Sequence, residues 1–324
     1  MSPEELDAVL ADLRTRVAAL EGGLEETFSA IERSLVGLSE RCAALEERLS
    51  DLEVSPRVAE PTGDDSDREL ERLRSLERGV PGITDLLGVP MRFLDGPEVG
   101  VLYESIFRRR HYAFEHEGDT PVIVDGGANI GMATLFWKME HPGARIVAFE
   151  PDAEAREVLE WNLQAAGHTD VTVVPAALTG DAGDVAFVRS ADDPGRVGGR
   201  AVTSTSVHDD SRSTTTIVPS VSLREYLGGH VDLLKIDIEG AESEVLHECR
   251  DLLGNVARLV VEYHGFTGSP QALPDLLEVL RAAGFRLYIE QEYPSAHAPL
   301  INPPEHRDMD LQLVVWCHRR HGAA

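Results

Sequence analysis

Apolar residues recur at Leu6, Leu10, Leu13, Val17, Leu20, Leu24, Phe28, Ile31, Leu35, Leu38, Cys42, Leu45, Leu49 and Leu52, in alternating steps of four and three. This is the heptad pattern of a coiled coil. Two successive steps of four, Leu20 to Leu24 to Phe28, form a stutter around Gly22-Gly23 that locally unwinds a supercoil. At 1.5 Å per residue the stripe runs ~70 Å. A helix of that length cannot bury its seam inside a domain of this size, so residues 1–54 are predicted to self-associate. From Ser55 to Asp67 the composition turns to Pro, Gly, Asp and Ser, which reads as a linker. Helical spacing resumes over Arg68–Gly79 and again over Val99–Tyr112, giving a helical lead-in at 68–120.

The pattern then changes. Short apolar runs begin at Val122, Arg145, Val171, Leu233, Arg258, Phe285 and Leu311, with helical stretches between the earlier ones. That alternation predicts a doubly wound, Rossmann-like α/β domain over 121–324, closing in a C-terminal antiparallel hairpin. Asp192–Thr216, rich in Gly, Ser, Thr and Asp, reads as a flap beside a site or as an inert insertion.

The first of these strands carries the chemistry. Val122–Gly131 reads V-I-V-D-G-G-A-N-I-G, and Met132–Met139 continues as an amphipathic helix. A strand, a tight loop and a helix N-terminus form the corner where nucleotide-like ligands sit. A dinucleotide fingerprint wants glycine at the first, third and sixth positions, and Ala128 holds the third. What remains, Asp125, Gly127 and Gly131, is the D-x-G-x-x-x-G spacing of S-adenosylmethionine enzymes. A strand-end carboxylate pairs with that cofactor's ammonium, and Gly127 admits close backbone approach, so a branched residue there is expected to block the cofactor and spare the fold. The next strand ends in Glu150-Pro151-Asp152, nineteen residues past Gly131, where such a sheet places an acid on a ribose diol.

Two later strands end in further titratable groups. Leu233–Glu242 reads L-L-K-I-D-I-E-G-A-E, which puts Lys235 and Asp237 on one face, and Glu262 and His264 share a face at the end of Leu259–Gly265. Ligands lie outside the carboxyl ends of open α/β sheets, so Asp125, Glu150, Asp237 and His264 should converge on one crevice. Taken singly, Lys235 reads rather as the partner of a neighbouring acid and His264 as a satisfied strand-end histidine, and it is the agreement of four strand ends that favours a site.

Charge narrows the partners. A formal net charge of -27 over 324 residues argues against binding nucleic acid, and the first 67 residues, at net -11, argue against lying on an anionic membrane. There is no apolar run long enough to span a bilayer and no secretory leader, which points to the cytoplasm. Cys42, Cys249 and Cys317 are too few and too scattered for a disulfide framework or a zinc site.

The chain resembles the FkbM-type methyltransferases on V-D-G-G-A-N-I-G at Val124–Gly131, F-E-P at Phe149–Pro151, K-I-D-I-E-G-A-E at Lys235–Glu242 and E-Y-H at Glu262–His264. The resemblance covers roughly Ile106–Tyr288 and leaves out the heptads. It implies a class I methyltransferase sheet, S-adenosylmethionine as cofactor and O-methylation of a natural product or glycan. The cofactor positions implied are Asp125, Gly126, Gly127, Asn129, Gly131, Glu150, Pro151 and Asp237. Valine is more usual at the place of Gly126, which should face away from the cofactor.

Methyl transfer needs a nucleophile held in line and a base for its proton. His264 is the first candidate base, with Glu262 or Asp237 fixing its tautomer. Asp237 is the rival, and Lys235 belongs to the same catalytic set. A divalent metal on Asp237, Glu239 and His264 is a third, less favoured route. Two other functions compete: a nicotinamide-dependent oxidoreductase, against which the glycine spacing speaks, and an inactive methyltransferase domain in a coiled-coil assembly protein. Nothing in the sequence identifies the acceptor.

Overall fold

The computed structural model describes residues 63–190, 199–202, 213–292 and 309–319. The predicted coiled coil, Cys42 and most of the predicted linker lie outside these residues. The described chain starts with α1 (Gly63–Arg74), five residues before the expected helix. Asp65 and Asp67 stand towards its N-terminal end and Arg72 and Arg74 in its last turn, charges that suit the helix dipole at both ends. A two-stranded ribbon follows, β1 (Gly82–Thr84) with β2 (Met91–Phe93), and then α2 (Gly96–Tyr103), which runs into a π turn at Glu104–Arg108.

The central sheet has seven strands. β3 (Val122–Gly126), β4 (Arg145–Phe149), β5 (Thr172–Val174), β10 (Val231–Ile236) and β11 (Val256–Phe266) are parallel, in the order β5-β4-β3-β10-β11. β12 (Arg286–Gln291) and β13 (Met309–His318) complete it, with β13 antiparallel to both β11 and β12. The expected terminal hairpin is therefore present as an antiparallel pair. Its last strand, however, enters between β11 and β12 and makes the sheet mixed.

Side-chain alternation sends each strand into two cores. Ile123, Leu233, Val260 and Val314 pack with α1, α2, α3 (Met132–Glu140) and α4 (Ala153–Ala165). Val124, Leu234, Leu259, Val261 and Val315 pack with α5 (Glu242–Glu248) and α6 (Leu273–Ala282) on the other face. Covered on both sides, β10 is buried at all six positions and needs a continuous apolar run, which only Asp232 and Lys235 interrupt.

The stretch read as a flap is in part a second sheet. β8 (Arg200–Val202) and β9 (Ser213–Ser222) join β6 (Ala177–Thr179) and β7 (Gly183–Ser190) in the order β6-β9-β7-β8. The Thr-rich start of β9 is polar because it is exposed, and Val185, Phe187 and Val218 supply this sheet's small core. Cys249 and Cys317 are free and buried, as packing residues. No described helix is long and apolar enough to cross a membrane.

Candidate active site

The loop from β3 to α3 is held by its backbone. The amides of Gly127 and Ala128 donate to the carbonyl of Phe149 at 3.1 and 2.9 Å, tying the loop to the end of β4. Gly127 has φ +79°, and a Cβ there would lie 1.8 Å from the carbonyl oxygen of Asp237. The glycine is required by this crossing of loop and β10 end, before any ligand is considered. The expectation that a side chain at 127 would leave the fold intact is corrected on this point. Gly127→Ala should cost roughly 2 kcal/mol or more of stability, read by urea denaturation, because backbone strain and overpacking add.

Glu150 follows the end of β4, is buried and lines a cleft. Its Oε2 accepts from the amide of Asn129 and its Oε1 from the amide of Asp152, each at 2.8 Å. Burial raises its pKa to about 7, against the opposing pull of those two amides. Gly127, Asn129, Glu150, Pro151, Asp237 and Glu239 line the same cleft, together with Gly199 and with Phe187 and Ala201 of the second sheet.

Three expected cofactor positions are not among the residues that line this cleft. Gly126 faces the core, where a Cβ would meet Leu178 at 2.8 Å and Ile236 at 3.1 Å. Gly131 caps α3 with φ +92° and packs against Leu159. Asp125 is 0 % exposed and does not line the cleft. Its Oδ2 accepts from the Thr134 hydroxyl at 2.7 Å, and its Oδ1 lies 3.5 Å from Lys235 Nζ. Instead of a ligand's ammonium, Asp125 faces the ammonium of a lysine.

Lys235 is the hub of a buried network. Its Nζ donates to the carbonyl of Gly127 at 2.9 Å and pairs with Asp237 Oδ2 at 3.3 Å. Burial alone would lower its pKa, but Asp237, Asp125 and Glu262 more than offset this and hold it above the usual lysine value. Glu262 accepts a short hydrogen bond from the Tyr112 hydroxyl, supplied by the lead-in. Burial, then the charges of Asp237 and Glu292, push the Glu262 carboxyl well up. The expectation that Glu262 or Asp237 fixes the histidine tautomer is corrected here.

That role falls to Glu242. His264 Nδ1 donates to Glu242 Oε1 at 2.9 Å, and the same oxygen accepts from the amides of Gly240 and Ile238 at 2.9 and 3.3 Å. The opposite nitrogen, Nε2, faces Asp237 Oδ1 and Glu239 Oε2, each at 3.9 Å, with the Gln312 amide at 3.3 Å. Burial lowers the pKa of His264, and Glu239, Glu242 and Asp237 raise it further than that, so it lies well above the ordinary value. Asp237, Glu239 and His264 bring one ligand atom each to within 4.8 Å of one another, a spacing that could hold a metal ion.

Of the four strand-end groups expected in one crevice, Glu150 and Asp237 line the same cleft, His264 lies outside its lining at 3.9 Å from Asp237, and Asp125 is buried behind it. Reasoning from sequence missed Glu242, although it closes the K-I-D-I-E-G-A-E block. It also missed Thr134, Tyr112 and Gln312, which carry no local signal because they reach the network through tertiary packing.

Comparison with known proteins gives the family. The family model described as the methyltransferase FkbM domain matches residues 125–287, which hold the cleft acids, the lysine hub and the histidine. The methyltransferase sdnD of Sordaria araneosa is 30% identical over 220 residues, 58% of this chain and 82% of that one. The 31-O-demethyl-FK506 methyltransferase FkbM of Streptomyces tacrolimicus is 29% identical over 238 residues, 63% of this chain and 88% of its own. Among solved structures, the methyltransferase FkbM from Methylobacillus flagellatus KT aligns with a TM-score of 0.43 at 15% identity. That alignment covers 67% of this chain and 48% of that chain, about half its length.

Proposed function

The chain belongs to the FkbM family of S-adenosylmethionine-dependent methyltransferases, and from that premise we propose that it methylates a hydroxyl of a natural product or a glycan. The observation that carries this reading is the buried Glu150 in the cleft lining. Each of its oxygens accepts one backbone amide and has capacity for one further donor, which fits the two hydroxyls of a ribose. Asn129, Pro151 and Asp237 would hold the rest of the cofactor in the same cleft. When bound, S-adenosylmethionine supplies a methyl group on a sulfonium leaving group.

The protein's part is positioning and proton removal. The acceptor hydroxyl sits beside Asp237 and His264, and His264 Nε2 takes its proton. Glu242 holds the ring through Nδ1 and stabilises the imidazolium that results. Lys235 stays charged and orients Asp237 through their ion pair. A metal on Asp237, Glu239 and His264 would instead show as activity lost to EDTA and restored by magnesium or manganese.

Titration calorimetry with S-adenosylhomocysteine and with NAD tests the class. The expected result is binding of the first only; binding of NAD alone would replace the reading with an oxidoreductase. Glu150→Gln should weaken S-adenosylhomocysteine by roughly 10- to 100-fold, the worth of hydrogen bonds to a charged group. Glu150 binds the ribose as a carboxylate, and its pKa near 7 means that it gains a proton as pH falls through neutrality. Wild-type affinity should therefore drop between pH 8 and pH 6, and the Glu150→Gln variant should lack that dependence.

Self-association through the N-terminal heptads belongs to the same reading. Removing residues 1–54 should lower the subunit count seen by light scattering and leave S-adenosylhomocysteine binding in place.

A further inference from the structure

A second cavity, of about 320 Å³, lies along the face of β12 and β13 beneath α2 and its π turn. This size falls at the lower end of ligand pockets, ~300–1,000 Å³. Resting on the methyl-transfer reading, we propose that it is the acceptor site and that it takes a carbohydrate of at least two linked rings.

A line of polar contacts joins it to the candidate base. Glu292 in the cavity wall accepts from the Gln312 amide at 2.9 Å, and that amide lies 3.3 Å from His264 Nε2. The strand register sets the length. His264 pairs with Gln312, Glu262 with Val314 and Val260 with Trp316, so Trp316 stands four residues down the same sheet face. At about 3.3 Å per residue this is ~13 Å from the histidine. One sugar ring held at His264 does not reach Trp316, and a second linked ring does.

The lining sets the chemistry. Arg109, Glu290 and Glu292 carry charge into the cavity, and Arg109 and Glu290 make no side-chain hydrogen bond or ion pair among the described residues. An acyl chain or macrocycle would strip water from these groups and return nothing. Both signs of charge are present, so an anionic ligand gains no preference. Sugar hydroxyls donate to carboxylates and accept from a guanidinium. The Trp316 indole offers a flat apolar wall for a ring, with its N–H already given to the carbonyl of His111 at 2.7 Å.

The test uses the full chain. S-adenosylhomocysteine is titrated first, and its failure to bind would count against methyl transfer itself. Cellobiose, maltose and lactose, the methyl glycosides of their terminal rings, and glycylglycine are then titrated into the loaded protein. We expect at least one disaccharide to bind about tenfold or more tighter than its methyl glycoside. An Arg109→Ala/Glu290→Gln double variant should weaken it by a similar factor and leave S-adenosylhomocysteine affinity unchanged. Both side chains are exposed, so folding is not at stake. The proposal is overturned if loaded protein binds no disaccharide, if one ring binds as well as two, if the double variant binds normally, or if glycylglycine alone binds.

Discussion

His264→Ala is expected to lower turnover by roughly 100- to 10,000-fold, the usual worth of general-base catalysis, with cofactor affinity nearly unchanged. The pH profile gives the sharper signature. As the base His264 must be unprotonated, and Glu239, Glu242 and Asp237 hold its pKa well above 6.5. Turnover should therefore rise with pH, with the slope of one proton, on the alkaline side of an ordinary histidine. Glu242→Gln removes one of the charges that raise the pKa, so the rising limb should move to lower pH while a measurable rate survives. If turnover is flat from pH 6 to 9 and insensitive to Glu242→Gln, the histidine is structural and Asp237 is the base. The same shift acts on stability with the opposite sense. The imidazolium–Glu242 pair stabilises the fold fully below the unfolded pKa near 6.5, and that contribution is lost as pH climbs through the folded value.

The second large effect falls on the fold. Lys235→Met should cost about 3–5 kcal/mol, because removing one partner leaves buried carboxylates without compensation. Asp125 at 0 % exposure and Lys235 at 3 % have no solvent to replace the lost contact. Urea denaturation at pH 7 reads this directly. A variant as stable as wild type but inactive would mean that Lys235 acts on the reactants alone.

This second prediction marks how the site divides between sequence and structure. The strand ends of β3, β4, β10 and β11 were legible from apolar runs that stop at Asp125, Glu150, Asp237 and His264. A parallel sheet buried on both faces must be built from such runs, and its ligands must lie past their carboxyl ends. Local patterns carried that much because they are local consequences of alternation and turn geometry. The second sheet was not legible: the exposed, Thr-rich start of its longest strand looks like loop. The roles of Asp125 and Glu242 were not legible either, since an acid at a strand end looks the same whether it meets a ligand or a lysine.

By itself, then, the sequence determined the α/β class, the parallel strands, the glycine corner and the acids that end its strands. Each follows from the period of side chains along one element. Only the tertiary structure decided that Lys235 occupies Asp125, that Glu242 orients His264, that Gly127 is needed for Asp237 to pass, and that β13 enters between β11 and β12. Those outcomes depend on which side chains from distant elements meet in a medium with no water. There each charge must find its partner, and the nearest in space is rarely the nearest in the chain.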